Sequence, residues 1–369
     1  MGEYLVENGR LIHHRVENLW TVVTIPDGVT GIGENVFSPF QMFVRKVLLP
    51  GSVTSIGKEA FRGCQLLKQI NLPYGVTSIG ESAFSLCSSL EKISIPESVT
   101  FIEKAAFLDC DDLEQIVIPG SVASIGANVF ADCDGLRQVT ISEGVTSIGD
   151  YAFADCSQLE QITIPAGVTS IGNYAFAGCN QLEQITIPEG VTSIGDKAFY
   201  HCHSLERVLL PDNLTDIGKS AFEGCGHLKK LRIFGYTIDA TKWNWKKDHP
   251  MTVLEMLKKK DYFCSISHSV KYQFVVQDYL KRKEAEAEAY LKKRPVLFFR
   301  LYIRANDYDT IRGLLESGLA LSYEQITELL DYAAEHTQKG GDMQIQALLA
   351  DYRHRQYPSS NPFADLDVE

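Results

Sequence analysis

Cysteine is the residue type with the most evident chemical potential in this chain, and eight of its nine cysteines follow a strict spacing. They lie 23 residues apart, at Cys64, Cys87, Cys110, Cys133, Cys156, Cys179, Cys202 and Cys225. Neighbouring repeats would place their Cα atoms about 5 Å apart, within the disulfide range, yet stacked side chains point parallel to one another. We therefore predict a column of buried free thiols that pack as small hydrophobic groups, and a free thiol at Cys264 as well.

Histidines beside this column are the second candidates for chemistry. His201 and His203 flank Cys202, and His227 follows about one repeat later. Zinc requires four ligands, or three ligands and a water, and Cys202 is expected to point into the core. The sequence therefore favours surface histidines over a metal site.

Motifs for enzyme chemistry are missing from the sequence. It contains no phosphate-binding P-loop, no dinucleotide-binding glycine motif, no G-x-S-x-G nucleophile motif, no H-E-x-x-H and no C-x-x-C pair. We predict no cofactor, no catalytic residue and no enzyme activity.

Lysine and arginine form a third candidate group, in clusters at residues 258–260, 281–283 and 292–294. Residues 242–304 carry 15 basic and 7 acidic side chains, whereas residues 1–233 carry 16 basic and 27 acidic ones. The basic clusters could contact nucleic acid, but glutamates interrupt them and the sequence pI is about 5.3. The pattern favours solvated helices, or pairing within the protein, over nucleic-acid binding.

The elements that position these residues are internal repeats. Phenylalanines share the 23-residue period of the cysteines, and the repeat has the template L-x-x-I-x-I-P-x-x-V-T-x-I-G-x-x-A-F-x-x-C-x-x. The alternating L-x-x-I-x-I predicts a short strand with one buried face, and V-T-x-I predicts a second extended piece. A-F-x-x-C predicts a single helical turn with its apolar side buried. Because one repeat cannot bury this side alone, nine stacked repeats predict a solenoid.

The pattern I-P-x-x-V-x-x-I-G-x-x-A-F-x-x-C resembles the BspA-like leucine-rich repeats, the 23-residue bacterial type, over about residues 20–233. The resemblance implies a curved solenoid with a parallel sheet and a role in protein–protein interaction or adhesion. Known members are often secreted or held at the cell surface. This sequence shows neither an export signal nor an anchor, so the predicted location is cytoplasmic, with export by a non-standard route as the alternative.

Side chains on the predicted concave strand face are the candidate binding residues. Positions beside and between the two isoleucines of each repeat should face solvent. The candidates form a neutral middle and a cationic C-terminal end. They are Gln138, Thr140, Gln161, Thr163, Gln184, Thr186, Arg207, Leu209, Lys230 and Arg232. One interpretation is a groove for a protein or peptide, and the other is a solvated sheet whose side-chain ladders serve stability.

The domain organisation follows from where the repeats begin and end. We predict an N-terminal cap hairpin over residues 1–20 with a turn at Asn8-Gly9, the solenoid over 21–233 and a transition that caps it over 234–250. Residues 251–356 are predicted to form a mostly α-helical array, in which 311–318 resemble the second helix of an ankyrin repeat. Residues 357–369 are predicted to be a flexible tail.

Together these features predict a non-catalytic scaffold that binds an unknown protein or peptide on the concave solenoid face. An exported surface adhesin or host-interaction protein is the alternative. The apolar runs are too short for a membrane span, and the sequence leaves the oligomeric state open.

Overall fold

The computed structural model describes residues 3–15, 22–37, 43–233, 235–243, 250–259 and 268–358. The chain divides into two compact units, Met1–Met251 and Thr252–Glu369. The first is a solenoid of stacked coils, one per repeat, and the second is helical. The predicted architecture, a repeat solenoid of short parallel strands followed by a mostly α-helical domain, is confirmed.

Each coil of the solenoid contributes one strand to a first ladder. The strands of this ladder are β3 (Val22–Thr24), β5 (Lys46–Leu48), β7 (Gln69–Asn71), β9 (Lys92–Ser94), β11 (Gln115–Ile118), β13 (Gln138–Ile141), β15 (Gln161–Thr163), β17 (Gln184–Thr186), β19 (Arg207–Leu209) and β21 (Lys230–Ile233). They pair in parallel in three groups, with strand orders β3-β5-β7-β9, β11-β13-β15 and β17-β19-β21. The central residue of most strands is buried and its two neighbours are exposed, as the alternation predicted.

A second ladder consists of shorter strands that end in the isoleucine of V-T-x-I. These strands are β4 (Gly31–Ile32), β6 (Ser55–Ile56), β8 (Ser78–Ile79), β10 (Phe101–Ile102), β12 (Ser124–Ile125), β14 (Ser147–Ile148), β16 (Ser170–Ile171), β18 (Ser193–Ile194) and β20 (Asp216–Ile217). Threonine hydroxyls reinforce the stacking, since the Thr169 Oγ1 donates to the carbonyl of Thr146 at 3.1 Å. The Thr192 hydroxyl donates to Thr169 in the same way.

Antiparallel strands end both ladders. β1 (Glu3–Glu7) and β2 (Arg10–Arg15) form a hairpin, and its turn at Asn8 and Gly9 has positive φ at both residues. β2 pairs in parallel with β4 and so extends the second ladder. At the other end, β22 (Tyr236–Asp239) pairs antiparallel with β21 and is followed by a 3₁₀ turn, Ala240–Lys242.

The solenoid core consists of columns of identical side chains. Nine phenylalanines stack in parallel from Phe37 to Phe222, with centroid separations from 4.8 Å to 5.5 Å, and all are fully buried. Each such contact contributes stacking energy beyond the area that it buries. Leucine, isoleucine and valine columns fill the rest of the core.

The A-F-x-x-C segment differs from the predicted helical turn. It is a run of hydrogen-bonded turns in which every second N–H group donates to a carbonyl of the next coil. The N–H of Phe61 donates to the carbonyl of Ala83 in the next coil at 2.8 Å, whereas the N–H of Cys64 donates to Phe61 in its own coil. The residues before Ala and before Cys have positive φ in successive coils, including Ala105 (55°) and Leu86 (62°).

Stacking explains this conformation. A left-handed residue costs about 1 kcal/mol for a non-glycine side chain, and hydrogen bonds between coils offset that cost because they satisfy buried amides. The predicted helical turn did not include these hydrogen bonds between coils, because a helix would satisfy the same amides within one coil. The prediction that Ala, Phe and Cys share the buried side is correct, since Ala60, Phe61 and Cys64 are fully buried.

The helical unit is irregular by comparison. Its helices, the first of which begins just before the unit, are α1 (Pro250–Lys259), α2 (His268–Gln277), α3 (Ala285–Lys292), α4 (Pro295–Arg304), α5 (Tyr308–Glu316), α6 (Tyr323–Gln338) and α7 (Met343–Gln356), with a π-helical turn at Asp278–Arg282. Asp307 and Asp342 cap the starts of α5 and α7. Ser322 caps α6 in a reciprocal capping box with Gln325.

Candidate functional site

All ten candidate binding residues lie exposed on one face of the first ladder, which we call the strand face. It consists of the outward side chains of β13, β15, β17, β19 and β21. An inward residue of each strand, such as the buried Ile185 and Val208 or the half-buried Ile162, anchors the strand to the core. Because successive strand residues point to opposite faces, this anchoring turns the flanking residues outward.

Register aligns the candidates in two columns. Gln138 lies opposite Gln161, and Thr140 lies opposite Thr163. Further along, Arg207 lies between Gln184 and Lys230, and Leu209 lies between Thr186 and Arg232. The structure therefore brings these residues together in two groups. Within the described strands no ladder pairing joins β15 to β17, so the neutral group on β13 and β15 lies on one sheet and the group on β17 to β21 on the next.

Charge is concentrated at the C-terminal end of the strand face. Lys229 pairs with Glu206 at 2.5 Å, and Arg232 pairs with Asp212 at 3.4 Å. The hydrogen bond from Lys229 lowers the pKa of Glu206. Arg207 and Lys230 make no ion pair within 4 Å with the residues that the structure describes. Leu209, which is 44% exposed, lies beside these cations.

Comparison with known proteins places the repeats in a family. The family described as BspA type Leucine rich repeat region matches residues 16–137 and 124–240, in six copies. This match covers more than half of the chain. The chain belongs to the BspA-type leucine-rich repeat family. Repeat proteins of this kind commonly serve as interaction or surface proteins.

Solved structures of other leucine-rich repeat proteins are also similar. The T. pallidum leucine-rich repeat protein TpLRR is 32% identical over 49% of this chain and 87% of its own, with a TM-score of 0.45. A leucine-rich repeat protein from Bacteroides ovatus is 24% identical over 63% of this chain and 92% of its own, with a TM-score of 0.30. The pneumococcal vaccine antigen PcpA is 26% identical over 58% and 62%, with a TM-score of 0.41. No curated protein matches the chain.

The cysteine column of this leucine-rich repeat protein consists of free thiols, as predicted. The first seven are buried and Cys225 is half-buried, while Cys264 lies outside the described residues. Each Sγ donates to a phenylalanine carbonyl of the preceding coil, as Cys156 does to Phe130 at 3.1 Å. Burial raises the pKa of Cys64 to about 12 and that of Cys156 well above its ordinary value. The seven buried thiols therefore pack as small hydrophobic groups.

The histidine candidates form no metal site among the described residues. The His203 Nδ1 lies 3.2 Å from the carbonyl of Gly224, and its ring centroid lies 5.1 Å from that of His201. His201 itself has positive φ, since it occupies the position before a column cysteine. Its ring also contacts that of Tyr200.

The basic clusters are partly neutralised within their own helices. The Arg282 guanidinium lies 3.0 Å from the buried carboxylate of Asp278, and the Lys292 ammonium pairs with Glu288 at 2.5 Å. Both ion pairs lie within the protein, and the absence of nucleic-acid binding stays a prediction. In the described part of the chain, no helix is long and apolar enough to cross a membrane.

Sequence reasoning missed two further features. An acidic column at the turn segments includes Asp109, Asp132 and Asp155, with Asp111 and Asp134 beside it. Burial and the neighbouring carboxylates raise the pKa of Asp111 to about 6. The second feature is a cleft between the start of α4 and α6. The 23-residue spacing of the aspartates could have revealed the first, but no sequence spacing brings the residues of the second together.

Proposed function

We propose that the strand face is the binding surface of a non-catalytic scaffold, and that its ligand is a protein or an extended peptide. The observation that carries this proposal is the exposure of ten side chains on successive strands, which align in two columns within each of two sheets. In a sheet with only a structural role, nothing would favour an exposed Leu209 beside Arg207 and Lys230. The charges of these two residues are not paired within the described residues.

Rigidity supports the same function. The strand backbones are fixed by hydrogen bonds between coils and by buried central residues such as Ile185. A surface that is formed before binding loses little conformational entropy on association. The glutamine and threonine columns offer both donors and acceptors, which suit the main chain of an extended partner.

The test replaces three side chains of the strand face in the full chain. In T163K/T186K/L209K, three lysines would obstruct the surface without touching the core. A control, F101K/A123K/D216K, introduces three lysines at exposed positions in, or directly before, strands of the second ladder. Proteins captured from a lysate of the source cell are quantified by mass spectrometry, and thermal melting verifies the fold of each variant.

We expect a specific set of proteins that the unmodified chain and the control retain and that T163K/T186K/L209K loses by about tenfold or more. Equal capture by all three chains, with unchanged melting, would remove the strand face as the binding surface.

A further inference from the structure

Cys225 differs from the other cysteines of the column in its exposure. The seven cysteines from Cys64 to Cys202 are each 0% exposed, whereas Cys225 is half-buried. Cys225 belongs to the last A-F-x-x-C segment of the repeats, so a cysteine coil lies on one side of it only. The column therefore ends in one cysteine that solvent reaches. The proposed function of the strand face makes no use of this cysteine.

The residues on both sides of Cys225 leave this approach open. Gly224 and Gly226 carry no side chains, and a Cβ atom added to Gly226 would have no heavy atom within 4 Å. Gly226 is also exposed. Access from water therefore exists at Cys225, whereas Cys202, the previous cysteine of the column, is fully buried.

Backbone hydrogen bonds hold Cys202 and Cys225 as neighbours in adjacent coils. The N–H of His201, directly before Cys202, donates to the carbonyl of Glu223 in the next coil at 2.8 Å. Segments that are hydrogen-bonded in this way lie about 5 Å apart. This separation falls within the Cα distance of about 4.4–6.8 Å that a disulfide requires.

The Cys225 sulfur points toward the coil that contains Cys202. Its Sγ donates to the carbonyl oxygen of Phe199 at 3.1 Å, and the same oxygen accepts the backbone N–H of Cys202 at 3.4 Å. Because the two groups share one acceptor, the Cys225 sulfur lies beside Cys202. Cys156 reaches the preceding coil in the same manner, so what distinguishes the last pair is access and not proximity.

We propose that Cys225 is a peroxide-reactive thiol and that Cys202 is its resolving partner, so that oxidation links the last two coils through a disulfide. The deprotonated Cys225 sulfur attacks one oxygen of a peroxide and the O–O bond breaks. With hydrogen peroxide, the hydroxide that leaves takes up the proton released by Cys225 and becomes water, and Cys225 becomes a sulfenic acid.

The second step forms the bond between the two coils. The Cys202 sulfur attacks the sulfenic sulfur of Cys225, the S–O bond breaks, and the thiol proton of Cys202 leaves with the oxygen as water. Two thiols are thereby oxidised to one disulfide, and one hydrogen peroxide is reduced to two water molecules. The buried pairs of the column lack the first step, because peroxide does not reach their sulfurs.

The experiment treats the folded, unmodified full chain with hydrogen peroxide. The remaining thiols are then alkylated under denaturing conditions, and intact mass and peptide maps are recorded before and after reduction with dithiothreitol. Cys225→Ser removes the reactive thiol. Cys64→Ser is the matched control, because it removes a fully buried thiol at the opposite end of the column.

We expect the oxidised chain to lose two hydrogens in mass and to contain one linked peptide pair, Cys202 with Cys225, which dithiothreitol separates. Without peroxide, iodoacetamide should modify Cys225 at least about tenfold faster than any other column cysteine. Cys225→Ser should abolish the loss of two hydrogens, and Cys64→Ser should leave it unchanged.

Three results would overturn the proposal. They are a column in which peroxide consumes no thiol, a disulfide that joins other cysteines, and oxidation of Cys225 to a sulfonic acid while Cys202 stays free. Because the linkage is mapped in the unmodified chain, each of these results can be read even where a serine variant fails to fold.

Discussion

The solenoid and the helical unit achieve burial in opposite ways. In the solenoid one solution is repeated, so that each Phe ring contacts the Phe rings above and below it at nearly constant separation. In the helical unit each contact is different, and polar groups take part in the core. Lys271 is 3% exposed and Asp278 is fully buried.

The two units differ in which of their positions can change residue type and so change function. In the solenoid the core positions are fixed by stacking, and only the outward positions are free to differ between coils, as Thr186 and Leu209 do. In the helical unit the core itself is specific, and its surface forms a cleft whose residues come from different elements.

The largest expected effect comes from interrupting the phenylalanine column. Phe130→Ala removes a ring that stacks on Phe107 and on Phe153 at 5.2 Å and 5.5 Å. We expect the free energy of unfolding to fall by about 3–5 kcal/mol, since loss of buried area and a cavity both contribute. Chemical denaturation followed by circular dichroism measures it.

Phe130→Leu is the control for this prediction, because it keeps most of the buried volume and should recover more than half of the loss. A cost below about 1 kcal/mol for Phe130→Ala would mean that neighbouring coils collapse into the gap, and the picture of a rigid column would be wrong.

An intermediate effect is expected in the helical unit. Asp278 is buried at the start of the π-helical turn and its carboxylate lies 3.0 Å from the Arg282 guanidinium. Asp278→Ala should lower the free energy of unfolding by about 2–4 kcal/mol, because it removes a buried carboxylate from its hydrogen-bonded partners. Thermal melting of the full chain measures the loss.

Arg282→Ala sharpens this comparison, because the Arg282 side chain is about half exposed and its removal should cost less than that of Asp278. If the two substitutions cost the same, the ion pair itself would be the main contribution, and not the burial of Asp278.

The smallest expected effect concerns pH and the acidic column. Burial and the charge of Asp109 raise the pKa of Asp111 to about 6 from an ordinary value of 3.8. The folded chain therefore binds a proton at Asp111 more tightly than the unfolded chain does. The contribution of Asp111 to stability consequently grows as the pH falls from 7 through 6. Asp111→Asn should reduce this gain and raise the melting temperature at pH 7 by a few degrees at most.

Asp27→Asn, at an exposed aspartate of the first coil, is the control, and Asp111→Asn should change the pH dependence more than this control does. Melting curves at pH 5, 6 and 7 provide the comparison. A melting temperature of Asp111→Asn that rises with acidification as steeply as that of the unmodified chain would contradict the assignment to Asp111.

Much of the solenoid could be predicted from the sequence because its determinants are local and repeated. The strand alternation gives Gln161 and Thr163 an outward position, and the period of 23 residues makes the Phe and Cys columns unavoidable once the coils stack. The helical unit offered only caps and helix starts, such as Ser322 and Pro295.

By itself, the sequence determined the repeat, the buried columns and the exposed character of the strand face, because all of these depend on residue type at a fixed period. Only the tertiary structure decided three other features. The turn segments take left-handed residues such as Leu86, because their amides find partners in the next coil. The ladder pairing of the strand face is interrupted between β15 and β17. Lys293, Arg300 and Gln325 meet in one cleft, because packing brings α4 and α6 together across a distance that no local pattern records.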